Sequence, residues 1–165
     1  MILYLDFDGV LHNYEVYLDH RNRPYLRGMG ELFEHNARLE QVLDPYPQVK
    51  IVLSTSWVRT KGFSHSCKRL PLSLRQRVVG ATWHSRMQRD DEWLDWWIHR
   101  SSRYEQILRD VTRRQPEDWM ALDDDVRGWP AQATNHLIAC DSELGLGGHA
   151  ARLALEHRLA RRMPT

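Results

Sequence analysis

At 165 residues the chain is the length of one ordinary domain, able to bury a real core. Its 42% apolar and 27% charged residues exclude a disordered or fibrous class. A formal net charge of +1 excludes a polycation, so any nucleic-acid contact must come from a local basic patch.

Residues 2–5, Ile-Leu-Tyr-Leu, form a short apolar run that ends in acid and glycine, the pattern of a buried parallel strand meeting a loop. The run lacks a basic flank and Asp6 cuts it short, so no signal peptide is expected there. Residues 12–30 are polar and turn-rich and are expected to form a loop or small flap. The spacing of Leu32, Phe33, Leu39, Val42 and Leu43 predicts a helix over 31–43, stopping by Asp44 because Pro45 disfavours helix before it. Val49–Leu53 reads as a second buried strand running into Ser54-Thr55-Ser56-Trp57.

Residues 60–67 are expected to be loop, with a short helix opening at 70–73 and a weaker strand at 78–82. Residues 84–91 read as loop. Ser102 or Ser101 is the candidate N-cap of a helix to about Arg114, with Glu105 three residues after Ser102 as in a capping box. Trp119–Leu122 reads as a strand ending in Asp123-Asp124-Asp125, His136–Ala139 as another before a glycine-rich turn, and 148–162 as a basic helix. Strands alternating with helices imply an α/β fold with a mainly parallel sheet, where ligands bind beyond the C-terminal strand ends. No apolar run is long enough to cross a membrane. Cys67 and Cys140 lie far apart in no paired spacing, against a disulfide framework or zinc site and in keeping with a reducing, cytoplasmic setting.

Three of these strand ends carry chemistry. Asp6 and Asp8, one residue apart, are placed to approach one metal ion, and Gly9 lets the backbone turn sharply between them and the next element. Ser54 offers a small hydroxyl to an oxyanion, with Thr55 and Ser56 as alternatives. Asp123 and Asp124 end the fourth strand, and an all-oxygen carboxylate set suits magnesium. A cation must also offset phosphate charge; Arg103 is the first choice and Arg100 the second. Aspartates after strands more often make turns, and an exposed helix arginine is more often solvated; the paired placement of Asp6 and Asp8 outweighs that plainer reading.

Asp6-Phe7-Asp8-Gly9-Val10-Leu11 resembles motif one of the haloacid dehalogenase (HAD) superfamily of phosphatases. Ile51-Val52-Leu53-Ser54 resembles motif two and Met120-Ala121-Leu122-Asp123-Asp124 motif four, in the same order. Ser54-Thr55-Ser56-Trp57, Val79-Gly80-Ala81-Thr82, the acid run and Asp141 through Gly145-Leu146 are similar to the small HAD-type domains of bacterial Swiss Army Knife RNA-repair proteins, which lack a large cap. The resemblance implies one three-layer α/β/α Rossmannoid domain over 1–165, with 12–30 as a flap insertion. It implies a phosphomonoester hydrolase in which Asp6 is the nucleophile and Asp8 the acid and base. Magnesium would be held by Asp6, the Asp8 carbonyl and an acid of the fourth strand, Asp124 directly and Asp123 through water or from behind. Ser54 and Arg103 would orient phosphoryl oxygens, with Gly9, Thr55 and His12 near the substrate.

The chain departs from the family where a motif-three lysine is expected, since no lysine lies between Lys68 and the acid run, and where Val10 replaces a common threonine. The expected substrate is a phosphorylated nucleic-acid end. A nucleotidase and a non-catalytic binding domain are the alternatives, and the oligomeric state is left open. Trp83, Trp93, Trp96 and Trp97 interleave with Arg86, Arg89 and Arg100, a pattern that suits base stacking but more often packs a helix face. Arg152, Arg158, Arg161 and Arg162 similarly read first as a solvated helix face, second as an RNA-facing patch.

Overall fold

The computed structural model describes residues 1–163. Its main sheet contains strands β1 (Ile2–Leu5), β4 (Lys50–Leu53), β5 (Val78–Ala81), β6 (Trp119–Asp123) and β7 (Leu137–Ala139), in the order β5-β4-β1-β6-β7. Every pairing in it is parallel. Two further strands, β2 (Val16–Leu18) and β3 (Pro24–Leu26), pair antiparallel in a separate ribbon. The region 12–30 expected as loop or flap is therefore a small two-stranded flap.

Register brings the chemical residues level. Leu5 pairs with Leu53 on one side and Leu122 on the other. The residues that follow, Asp6, Ser54 and Asp123, therefore leave neighbouring strands at the same height. They do so at the C-terminal edge, where a parallel sheet opens its crevice.

Side chains alternate across the sheet because the strand period is two. Leu3, Leu5, Ile51 and Leu53 pack on the face covered by helices α1 (Asn36–Leu43) and α7 (His149–Arg162). Tyr4, Val52 and Ala121 pack on the other, against Ile107 of α6 (Arg103–Arg114). Each side chain so buried contributes roughly 1.5–3 kcal/mol relative to exposure. The Tyr4 hydroxyl donates to Asp110 Oδ2 at 3.0 Å, and Arg113 and Arg114 close ion pairs on the same buried carboxylate. That network fixes α6, and with it Arg103, to the central strand. Ser102 caps α6 with the expected box, its hydroxyl accepting from the Glu105 N–H while the Glu105 carboxylate accepts from the Ser102 N–H.

Some elements differ from the sequence expectation. The helix predicted over 31–43 begins only at Asn36. Phe33 sits at φ 65°, and its N–H donates to His12 Nδ1 rather than entering a helix. The stretch 60–67 is not loop: α2 (Ser56–Lys61) and α3 (Phe63–Cys67) fill it, separated by Gly62. Helices this short span under two turns and leave no apolar period to read. Residues 85–89 form a 3₁₀ turn, followed by α5 (Asp91–Asp95) and a wide helical turn at Trp96–Arg100. α4 (Leu72–Arg75) lies where a short helix was expected. Among the described residues no helix is long and apolar enough to cross a membrane.

Candidate active site

Asp6, the first residue after β1, is almost fully buried. One carboxylate oxygen, Oδ1, accepts from its neighbour's N–H (Phe7, 2.7 Å), and Oδ2 accepts from Arg103 Nη2 at 3.0 Å. Burial drives the Asp6 carboxyl up to about 6; Arg103 pulls it down, and Asp8 and Asp124 push it up again. Asp123 is buried too, and burial followed by the Asp6 charge pushes it well above the usual range. Its Oδ1 accepts from the Asp125 N–H, while Oδ2 lies 3.2 Å from Arg103 Nε. That contact is a charge pair off hydrogen-bond alignment, so both atoms keep unfilled hydrogen-bonding capacity.

Asp124 is half-buried, raised by burial and partly offset by a hydrogen bond from the Ser142 side chain. Oxygens of Asp6, Asp123 and Asp124 all lie within 4.8 Å of one another. One guanidinium faces this group: burial works against the charge of Arg103, but Asp6 and Asp123 more than offset it. Three carboxylates against one guanidinium leave an excess of buried negative charge, and the Asp123 Oδ2 lone pairs are unused. Both features fit a hard divalent cation with oxygen ligands such as magnesium. Ser54 is fully buried beside them, and its Oγ has no hydrogen-bond partner.

Asp8 points elsewhere. Its Oδ1 accepts from Trp57 Nε1 at 2.8 Å and pairs with His12 Nε2 at 3.1 Å. Because His12 Nδ1 accepts from the Phe33 N–H, the proton of the neutral ring must sit on Nε2, aimed at Asp8. His12 is completely buried, so the expectation that it meets substrate is replaced by contact with Asp8. The carboxylate of Asp8 stands outside the cluster of three, which leaves its main-chain carbonyl as the atom expected to reach a metal.

Gly9 and Gly145 shape the loop. At Gly9 (φ 69°) a Cβ would overlap the Asp124 carboxylate, so only glycine lets the two strand ends approach. At Gly145 (φ 50°) a Cβ would overlap the Val10 carbonyl, and Leu146 N–H donates to that same carbonyl at 2.9 Å. The glycine-rich turn after β7 thus braces the loop after β1.

Thr55 is buried and caps α2, its Oγ1 accepting from the Trp57 N–H. A cleft of about 230 Å³ opens beside Arg103, with Thr55, Arg59, Trp83, Trp97, Gln106 and Arg127 on its walls. Gln106 accepts from Arg103 Nη1 and donates to the Trp97 carbonyl, so it steadies the arginine and one wall together. Arg100, the alternative to Arg103, is paired with Asp95 on the surface and lies outside the cleft.

The sequence singled out none of Trp57, Gln106, Arg59 or Arg127 as site residues. Trp57 carried the only available signal, its place directly after the Ser-Thr-Ser of the second strand end. The tryptophan cluster is mainly packing: Trp83 and Trp97 are buried edge to face, while Trp93 and Trp96 stack, with Arg109 over Trp93. In α7, Arg158 and Arg162 are turned onto main-chain carbonyls of β7 and β6, so half the arginines of that helix hold the fold.

The family model described as "HAD domain in Swiss Army Knife RNA repair proteins" matches residues 2–151. No curated protein and no solved structure matches the chain.

Proposed function

The chain belongs to this family of HAD-type domains, and on that premise we propose that it is a magnesium-dependent phosphomonoester hydrolase acting through an aspartyl-phosphate, on phosphorylated nucleic-acid ends. The observation that carries this reading is the level placement of Asp6, Ser54 and Asp123 at one sheet edge, with Arg103 bonded to Asp6.

In this mechanism an Asp6 oxygen attacks phosphorus, forming an O–P bond as the ester P–O bond breaks. Asp8 gives its proton to the departing oxygen. Since Oδ1 of Asp8 is held by His12 and Trp57, Oδ2 is the oxygen that carries the proton. Asp8 then takes a proton from water as that water attacks phosphorus, releasing Asp6 and inorganic phosphate. Arg103 and the free Ser54 hydroxyl hold phosphoryl oxygens through the transition state. Asp6, Asp124 and the Asp8 carbonyl would hold magnesium, with Asp123 through water or from behind, and the ion would neutralise phosphate charge.

The substrate end of the reading is supported by openness. Only a two-stranded flap stands where larger relatives of the superfamily carry a cap, so a long substrate meets no lid. Hydrolysis of an aryl phosphate with magnesium, lost in Asp6→Asn, tests the chemistry. Phosphorylated oligonucleotides set against mononucleotides test the substrate; a strong preference for mononucleotides would favour a nucleotidase. A wild type as silent as Asp6→Asn across phosphoesters would favour a binding domain.

A further inference from the structure

A second depression of about 760 Å³ runs beside the catalytic cleft. Arg59 and Trp83 line both, so the two are neighbours that share a wall. Beyond them its walls carry Phe63, His84, Arg86 and Arg113, and no carboxylate lines it. Three arginines with no facing carboxylate make this depression locally positive in a chain whose net charge is only +1. Among the described residues neither Arg59 nor Arg86 joins an ion pair. Arg113 pairs with Asp110 but keeps 55% of its side chain exposed. Phe63, at the start of α3, is 44% exposed and lines this depression, so its ring is open to a planar partner there.

We infer that this groove is the track of a single polynucleotide strand whose terminal phosphate lies at Asp6. The inference rests on the proposed function and adds where the rest of the substrate goes. Phosphodiesters following the terminal phosphate meet Arg59, Arg86 and Arg113 in turn, and a base stacks on Phe63. Planar guanidinium forks match phosphate oxygens, and an exposed aromatic ring takes any base, the combination that suits a strand read without regard to sequence. An acidic peptide would use the arginines but offers no ring with each phosphate repeat for Phe63 to stack on.

Binding is measured first, by fluorescence anisotropy of short labelled oligonucleotides carrying a 5′- or a 3′-phosphate, on the Asp6→Asn protein so that turnover plays no part. At roughly −0.7 in log–log slope per phosphate contact, the three groove arginines contribute about 20-fold to the weakening of binding between 50 and 200 mM salt. Arg86→Ala, leaving two of the three groove contacts, reduces that contribution to about 7-fold. Phe63→Ala weakens binding about tenfold without changing the salt slope, because stacking releases no counterions. In the active protein, Arg86→Ala lowers kcat/KM for the phosphorylated oligonucleotide several-fold and leaves aryl phosphate hydrolysis unchanged.

Strand binding that ignores Arg86 and Phe63 overturns the inference, as does an acidic phosphopeptide of equal charge that binds as tightly as the oligonucleotide. The two readings fail separately. Strand binding that needs Arg86 without any hydrolysis keeps the groove and removes the catalytic proposal. Aryl phosphate hydrolysis without Arg86-dependent strand binding does the reverse.

Discussion

Magnesium added to the metal-free protein is expected to raise its melting temperature, and to raise it more at pH 8 than at pH 5. Oxygens of Asp6, Asp123 and Asp124 stand within 4.8 Å of each other with Arg103 as their facing cation. Burial, then Asp8 and Asp124, hold Asp6 near 6 against an ordinary 3.8 despite the pull of Arg103. A carboxyl raised on folding holds its proton more tightly when folded. The metal-free fold is therefore favoured by acid between about 6 and 3.8, and loses that contribution as pH rises through about 6. For Asp6 alone the difference amounts to about 3 kcal/mol at high pH.

A cation in the cluster relieves this repulsion. At a concentration 100-fold above its dissociation constant it adds about 2.7 kcal/mol of stability. For a domain of this size that is a rise of roughly 5–11 °C in Tm. One unit below the Asp6 value the cation must displace a proton, which weakens its affinity about tenfold. The same magnesium concentration then adds only about 1.4 kcal/mol, and Asp123, also raised by burial and the Asp6 charge, lowers it more. Differential scanning fluorimetry across pH with and without magnesium reads this directly. Equal shifts at pH 5 and pH 8, or a full shift remaining in Asp124→Asn, would refute the reasoning.

Other perturbations test the supports around the cluster. His12→Phe keeps a buried ring but removes the donor to Asp8 Oδ1; it should lower kcat on an aryl phosphate by about 10- to 100-fold with little change in KM. His12→Gln, which offers an amide N–H, should restore part of it. Gly9→Ala places a methyl group on the Asp124 carboxylate at φ 69°; a loss of about 1–3 kcal/mol is expected in chemical denaturation, with magnesium binding weakened as well. Ser102→Ala removes the cap of α6 at the residue before Arg103; about 1 kcal/mol should be lost, and kcat should fall although Ser102 lies outside the cluster.

The parts of this molecule that could be read from its sequence are those in which one residue decides one local feature. Ile2–Leu5 announced a buried strand because a parallel strand covered on both faces has no polar alternation. Ser102 and Glu105 announced their helix start because a capping box is complete within four residues. The two short helices over 56–67 escaped notice because a helix of five or six residues shows no period, and tertiary contacts rather than propensity hold it. The late start of α1 has a cause further away still: the Phe33 N–H is taken by His12, 21 residues earlier.

The same distinction runs through the site. Asp6, Asp8 and the acid run stood out because carboxylates at strand ends are local signals, and strand register then carried them to one level without further instruction. Arg103 carried a weaker mark, its place at the start of the helix before the fourth strand. It shares its sequence character with Arg100, three residues away on the same chain direction, yet Arg103 reaches Asp6 and Asp123 while Arg100 meets Asp95 at the surface. What separates them is the direction in which α6 leaves Ser102. That direction is set by Tyr4 on the central strand gripping Asp110, more than 100 residues along the chain and two helical turns beyond Arg103. The choice of cation is thus made by the fold. The same holds for His12, whose ring is turned from the substrate side to Asp8 by a single main-chain N–H that no local pattern around residue 12 could supply.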